Sequence, residues 1–127
     1  PAGVWTQPRI VESGGGLRAP GDSVLLSCQG YALTLINYYF WWYRQAPSGR
    51  LECLSYISYD SPDIHYLPGI KGRATTSRNN SRSVAFLLLH GLYPQDSAHY
   101  FCVVRVAVPD KLVFGSGTTL TVEPSNQ

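Results

Sequence analysis

The sequence predicts an all-β fold in which two sheets pack face to face within one domain. Short runs rich in strand-forming residues alternate with turn signals about every 8–12 residues, and no amphipathic helix is evident. Residues 24–28 alternate between core-facing and solvent-facing types, as a half-buried strand does. Cys28 and Cys102 lie far apart with Trp42 between them, a spacing in which a long-range crosslink can pack against a buried aromatic ring.

The composition fits one globular domain and argues against two classes of partner. A chain of 127 residues buries roughly two-thirds of its unfolded surface, which is enough for an independent core. Apolar residues make up 44% and charged residues 14%, and this low charge suggests that some apolar surface meets a partner. Ten basic and eight acidic residues are scattered along the chain, so we expect neither nucleic acid nor direct membrane contact.

Glycine and proline divide the chain into strands. Turns at 14–16 and 20–22 bracket an early strand, the turn at 46–49 ends the strand that carries Trp42, and another turn is expected at 60–63.

The strand at 83–89 is unusually apolar on both faces. Alternation predicts three inward side chains, Ala85, Leu87 and Leu89. The outward row is then Val84, Phe86 and Leu88. This row either docks against a neighbouring domain or is tolerated as exposed apolar surface.

The segments around the second cysteine and in the last strand carry specific structural signals. The Tyr100 hydroxyl, two residues before Cys102, can bond back to the preceding turn and fix the corner before this strand. Phe114-Gly115-Ser116-Gly117 places two glycines one residue apart, which permits a bulge where the last strand changes partners.

Residues 7–122 resemble a variable domain of the immunoglobulin superfamily. The runs at 11–17, 42–47, 71–73 and 77–81 are similar to the framework of antibody heavy chains. The joining strand from Asp110 onward is instead similar to T-cell receptor joining segments, delta chains especially, and antibody heavy chains have tryptophan where Phe114 stands. The resemblance is therefore to a T-cell receptor chain of delta or mu type that carries a heavy-chain-like V segment.

This resemblance implies the fold and the domain limits. The implied fold is a Greek-key β-sandwich of about nine strands, with one inter-sheet disulfide between Cys28 and Cys102 and an ion pair between Arg73 and Asp96. Residues 1–6 are expected to be an extension or tail, and residues 123–127 the start of a linker to a following domain.

By the same resemblance, three loops form a ligand-binding tip, at residues 32–39, 58–64 and 104–112. Tyrosine offers rigid contact area and short polar side chains offer adaptable hydrogen bonds, although tyrosine is also common in strands for packing reasons. The candidate ligand-binding residues are Asn37, Tyr38, Tyr39, Tyr59, Asp60, Asp63, Arg105, Val106, Val108, Pro109 and Asp110.

A separate face is the candidate interface with a second V domain. The resemblance assigns to it Tyr43, Gln45, Arg50, Leu51, Cys53, Phe101 and Phe114. Paired heavy chains usually have a large tryptophan where Cys53 stands and glycine where Arg50 stands, and both changes weaken a desolvated interface. We hypothesise that the domain pairs poorly or stands alone; the alternative is a conventionally paired V domain.

Cys53 is the third cysteine and has no partner once Cys28 and Cys102 are joined. A leftover thiol in a secreted protein is either buried or bonded to another chain. We expect burial, because free cysteine behaves as a small hydrophobe.

The cysteines and one sequence motif point to the secretory pathway. A disulfide that closes a loop of about 74 residues stabilises a domain by roughly 4 kcal/mol and persists only in an oxidising compartment. Asn79-Asn80-Ser81 is an N-glycosylation motif with Asn79 as the acceptor. No signal peptide and no run of ~20 apolar residues is present. We therefore expect a mature ectodomain of a membrane-anchored receptor, on the extracellular face of the plasma membrane.

No pattern in the sequence favours catalysis, a metal or a cofactor. His65, His90 and His99 lack metal-ligand spacing, and no Gly-x-Ser-x-Gly nucleophile elbow is present. The expected partners are a protein or peptide antigen, a second V domain or adjoining domain, and a signalling complex reached through the full-length chain. An invariant cell-adhesion or co-receptor module with the same fold is the remaining alternative.

Overall fold

The computed structural model describes residues 7–33, 35–59, 63–106 and 109–124, except for the side chains of residues 35–38. Within these residues the chain forms eleven strands: β1 Arg9–Ser13, β2 Gly16–Arg18, β3 Val24–Tyr31, β4 Leu35–Gln45, β5 Leu51–Ile57, β6 Ile64–Tyr66, β7 Ala74–Asn79, β8 Val84–Leu89, β9 Ala98–Val106, β10 Lys111–Val113 and β11 Thr118–Val122. Short 3₁₀ turns cover Asn80–Arg82 and Pro94–Asp96.

The strands form two sheets, which confirms the predicted all-β sandwich. The four-stranded sheet has the order β1-β3-β8-β7, and the larger sheet has the order β2-β11-β9-β4-β5-β6 with β10 also paired to β9. About nine strands were expected, and the count is higher because the first and last strands are each interrupted. Gly14 and Gly15 separate β1 from β2, and residues 114–117 separate β10 from β11.

The two sheets are joined through a disulfide between Cys28 on β3 and Cys102 on β9, with 6.3 Å between their Cα atoms. Trp42 is fully buried within the same core cluster. In the four-stranded sheet, Leu26 pairs in register with Leu87. The predicted arrangement of a long-range bridge against a buried indole is therefore confirmed.

The apolar strand β8 follows the predicted alternation with one exception. Its inward residues Ala85, Leu87 and Leu89 are fully buried, as expected. Phe86 and Leu88 are partly exposed, but Val84 is buried. The side chain of Gln29, the register partner of Val84 on β3, turns toward this end of the strand and donates to the Arg82 carbonyl at 2.7 Å.

A buried acidic residue organises the corner below β9. The Tyr100 hydroxyl donates to the Asp96 backbone carbonyl at 2.5 Å, as predicted from its position before Cys102. The Asp96 carboxylate, which is 2% exposed, accepts hydrogen bonds from Arg73 at 3.0 and 3.1 Å and from Arg44 at 3.1 Å. Burial alone would raise the pKa of Asp96, but the hydrogen bonds from Arg73, the Tyr93 N–H and Arg44 outweigh it and hold the pKa below its usual value. The expected pair of Arg73 and Asp96 is thus part of a larger network.

The break before β11 is held by a buried carboxylate from the first strand. Glu12 accepts hydrogen bonds from the backbone N–H groups of Cys102 and Gly115 at 3.3 Å and of Gly117 at 3.1 Å. Gly117 has φ +79°, a conformation that L side chains rarely adopt. Beyond this bulge, β11 pairs with β2 as well as β9, so the strand changes partners as the glycine spacing predicts.

Candidate ligand-binding site

The three candidate loops lie at one end of the larger sheet. The first connects β3 to β4, the second β5 to β6, and the third β9 to β10. At this end Leu35 pairs with Val106, and Phe40 pairs with Ile57. Because these register pairs join the strand ends from which the loops emerge, the loops are neighbours in space and are carried by a hydrogen-bonded scaffold.

The first candidate segment is mostly strand. β3 ends at Tyr31 and β4 begins at Leu35, so much of the expected loop at 32–39 has extended backbone. The register between β4 and β9 shifts between Leu35 and Phe40, which shows that the strand is irregular here. Asn37 and Tyr38 lie in this irregular stretch, and their side chains fall outside the described residues.

Tyr39 links the first segment to the second loop. Its hydroxyl donates to the Asp63 carboxylate at 2.7 Å. Its ring stacks on Trp41 at 5.5 Å and meets the edge of Tyr56 at the same centroid distance. Tyr39 therefore combines packing with a specific polar contact to a second candidate residue.

The second loop is closed by its own hydrogen bonds. The Ser58 N–H donates to the Asp63 carbonyl at 2.9 Å, and the Asp63 N–H donates to the Ser58 hydroxyl at 3.1 Å. Tyr59 follows Ser58 and is 45% exposed, so its ring is accessible to a ligand. Asp60 falls outside the described residues.

Arg78 supports the second loop from below, a role that the sequence analysis missed. Its guanidinium donates to the Ile57 carbonyl at 3.2 Å and lies 4.6 Å from the Phe40 ring centroid and 5.6 Å from that of Tyr59. Buried Ala74 and Thr76 precede it at alternate positions of β7. That alternation places residue 78 on the inward face of β7. The same alternation in the sequence could have predicted that Arg78 points inward.

An ion pair spans the base of the third loop. Arg105 donates two hydrogen bonds to Asp110, each of 3.0 Å. These bonds raise the pKa of Arg105 and lower the pKa of Asp110. Both side chains are substantially exposed, so the pair orients the loop more than it stabilises the domain.

The other third-loop candidates divide by burial. Val106 is fully buried as the last residue of β9, so it belongs to the core and does not face a ligand. The expected loop boundary at residue 104 was wrong because β9 extends as far as Val106. Pro109 is exposed beside Asp110, whereas Val108 falls outside the described residues.

The candidate V-domain interface is a continuous aromatic and aliphatic face of the larger sheet. Phe101 stacks on Tyr43 with centroids 5.7 Å apart and contacts Phe114 at 6.2 Å. Leu51 is 56%, Leu112 59% and Phe114 64% exposed. A shallow groove of about 250 Å³ is lined by Tyr43, Leu51, Phe101, Val103, Leu112 and Phe114.

Three further interface candidates lie on or beside this face. Cys53 is half-buried and pairs in register with Tyr43, so the expected burial of its thiol is only partial. Burial raises the pKa of the Cys53 thiol, while hydrogen bonds with Tyr43 and the Ser55 backbone act in the opposite direction. The Arg50 side chain is 76% exposed and reaches Glu52 at 3.6 Å, which leaves its charge at the rim. Gln45 donates to the Gly49 carbonyl at 3.3 Å.

A larger groove, of about 500 Å³, lies at the end of the sheet opposite the loops. It is lined by the turn after β4 and by residues at the start of β9 and in β11. Its size does not make it the candidate site, because none of the loop residues reaches it.

The described residues contain neither a group of metal ligands nor a membrane-spanning helix. Within residues 7–33, 35–59, 63–106 and 109–124, no three His, Cys, Asp or Glu side chains are grouped as metal ligands would be. None of the helices in that part of the chain has the length and apolar character that crossing a membrane requires.

The two packed sheets, their disulfide and the loops at one end define a class of protein. Comparison with known families identifies that class. Residues 17–123 match the family model of the immunoglobulin V-set domain. Because this match covers most of the chain, the chain belongs to the immunoglobulin V-set family. V-set domains commonly bind protein ligands or pair with other domains, and the fold is generally non-enzymatic.

Proposed function

We propose that this chain is the antigen-recognition variable domain of a T-cell receptor chain of delta or mu type. It binds ligand through three loops and performs no catalysis. The observation that carries the proposal is the meeting of the three loops at one end of a disulfide-linked sandwich. A tip of this kind lets loop sequence vary while the strands hold their positions.

The joining strand supports the receptor assignment over an invariant adhesion module. The bulge at residues 114–117 separates the third loop from β11, and Glu12 fixes it by hydrogen bonds from the Gly115 and Gly117 N–H groups, while a third, from the Cys102 N–H, joins it to β9. These contacts use backbone atoms and glycine geometry, so they do not depend on the sequence of the loop that precedes them. A segment joined at this point can therefore bring a new third loop without disturbing the core.

The proposed ligand is a protein or peptide antigen. Exposed Tyr59, Asp63 and Pro109 supply aromatic, acidic and apolar contacts at the tip. The full-length chain then sits on the extracellular face of the plasma membrane and passes the signal to a separate complex. Its disulfide is consistent with that oxidising compartment.

Pairing with a second V domain is favoured over a solitary domain by one observation. Leu51, Leu112 and Phe114 are each more than half exposed on one contiguous face. Apolar patches of this kind mark interaction surfaces, and Arg50 lies at the rim, where its charge stays in water. The face is thus compatible with a partner even without a tryptophan at position 53.

The decisive experiment extends the transcript beyond Gln127. We expect the reading frame to continue into a T-cell receptor constant domain, followed by an apolar segment of about 20 residues that anchors the chain. An antibody constant region would contradict the receptor assignment. Germline DNA in which residues 104–112 and β11 form one uninterrupted exon with the V segment would favour the adhesion module instead.

A further inference from the structure

The glycosylation motif at Asn79 lies where the four-stranded sheet has a free edge. Asn79 is the last residue of β7, which is the edge strand beside β8. Thr75, Ser77 and Asn79 alternate along β7 and are all exposed. Among the residues that the structure describes, no strand pairs with β7 on its other side, so a substituent on Asn79 would project into solvent.

The local geometry leaves the acceptor nitrogen available. The Ser81 hydroxyl donates to Oδ1 of Asn79 at 2.8 Å. Within the described part of the chain, Nδ2 of Asn79 makes no hydrogen bond. The amide is thus held through its oxygen, on a residue that is exposed.

The neighbouring asparagine is engaged in structure. Nδ2 of Asn80 donates to the Tyr59 carbonyl, and Oδ1 accepts from Nε of Arg78 at 2.6 Å. Asn80 is also followed by Ser81 and Arg82, so it does not fit the motif. These contacts tie the turn to the second loop and place Asn79 at the rim of the ligand-binding tip.

We propose that Asn79 carries an N-linked glycan that flanks the second loop and covers the free edge of β7. In the reaction, Nδ2 attacks the anomeric carbon of a lipid-pyrophosphate-linked oligosaccharide. A carbon–nitrogen bond forms, the carbon–oxygen bond to the pyrophosphate breaks, the lipid pyrophosphate leaves, and Nδ2 loses one proton. The inference rests on the passage through the secretory pathway that the proposed function entails.

A glycan at this position also has a structural consequence. Ser77 pairs with Phe86 and Thr75 with Leu88, so the partly exposed apolar residues of β8 lie beside the row that ends in Asn79. Edge strands and exposed apolar rows both favour unwanted association between chains. A bulky hydrophilic group at the end of β7 hinders approach to both.

The test is expression of Pro1–Gln127 behind an added signal peptide in vertebrate cells, followed by treatment with peptide-N-glycosidase. We expect the enzyme to lower the mass of the chain and to convert Asn79 to aspartate, which peptide mass spectrometry detects. Ser81→Ala should abolish the modification, whereas Ser81→Thr and Asn80→Gln should retain it because they preserve the motif. Chains retained in the cell are assayed in the same way, because the sugar is added in the endoplasmic reticulum.

An unmodified residue 79 in both the secreted and the retained chains would overturn the inference. So would a glycan that persists in Ser81→Ala. Because the signal peptide is supplied, either result leaves the three-loop tip and its proposed function untouched.

Discussion

The hydroxyl of Tyr39 donates a hydrogen bond to the carboxylate of Asp63 at 2.7 Å, and so fastens β4 to the second loop. Asp63 also closes that loop through its backbone bonds with Ser58. One side chain on β4 thus sets the position of a loop that the proposed function assigns to ligand contact. A loop that is already held in place loses less conformational entropy when a ligand binds.

Tyr39→Phe should loosen the second loop while leaving the domain folded. The substitution keeps the ring against Trp41 and removes only the hydroxyl, so we expect a loss of about 1 kcal/mol or less in the free energy of unfolding. Hydrogen exchange at residues 58–63 should become faster. Tyr31→Phe is the matched control, because the Tyr31 hydroxyl makes no hydrogen bond in the described part of the chain. Unchanged exchange in Tyr39→Phe would show that the contact does not hold the loop.

Asp96→Asn should destabilise the domain strongly at neutral pH. The substitution removes the carboxylate charge with which Arg73 and Arg44 both form ion pairs. We expect the free energy of unfolding to fall by about 3 kcal/mol, because two partly buried guanidinium groups then face a neutral amide. Denaturant unfolding measures this loss. Asp22→Asn, which changes an exposed carboxylate, should have little effect.

The cost of Asp96→Asn should also depend on pH. The pKa of Asp96 is lowered in the folded state, so its contribution to stability is fully present above the unfolded pKa of about 3.9. That contribution is lost as the pH falls through the folded pKa. The difference between wild type and variant should therefore shrink below about pH 4, and a difference that stayed constant down to pH 2 would contradict the assigned role.

Cys53 should react slowly with thiol reagents. Its thiol is half-buried and burial raises its pKa, so less thiolate is present near neutral pH than in the unfolded chain. Alkylation by iodoacetamide should be several-fold slower in the native domain than in the same chain unfolded in denaturant with its disulfide intact. Equal rates, or a covalent dimer on a non-reducing gel that persists on dilution, would instead indicate an accessible thiol.

The exposed face around Phe114 should mediate association between V domains. In sedimentation experiments at micromolar concentrations we expect the isolated domain to self-associate, because each copy presents the same apolar face. Phe114→Ser should weaken this association about tenfold, as loss of a central aromatic contact does. Leu25→Ser removes a side chain that is also more than half exposed, but from the opposite sheet, and should have no effect. A monomer at every concentration would support the solitary V domain.

The elements that could be predicted are those with strong local signals. Strand alternation placed Cys28, Leu26 and Leu87 in the core, and the position of Tyr100 before Cys102 predicted its bond to the preceding turn. The glycines at 115 and 117 predicted a bulge. Each of these follows from chain geometry or from side-chain periodicity.

The polar contacts made by inward-facing residues could not be predicted. Glu12 and Arg78 occupy inward positions of their strands, but their partners come from distant parts of the chain. Arg44 joins the Asp96 network only because β4 and β9 are neighbours in the larger sheet. Periodicity shows that a charged residue occupies an inward position. Only the sheet topology shows which groups form the hydrogen bonds that offset the cost of burying it.

The ends of the candidate loops could not be predicted from the sequence either. The resemblance placed Val106 in a loop and residues 35–39 outside a strand, whereas β9 and β4 extend through them. Strand ends depend on pairing with a neighbouring strand, here between Leu35 and Val106. Two residues separated by more than half of the chain leave no pattern in the local sequence that would predict their pairing.

The proposed function requires a chain that varies at one end and is constant elsewhere. Sequencing many independent transcripts of the same gene from one animal measures this directly. We predict that differences in sequence and length concentrate at residues 107–110, with Cys28, Trp42, Asp96 and Cys102 unchanged in every transcript. An identical third loop in all transcripts, or variation spread evenly over the strands, would contradict recognition by a variable tip.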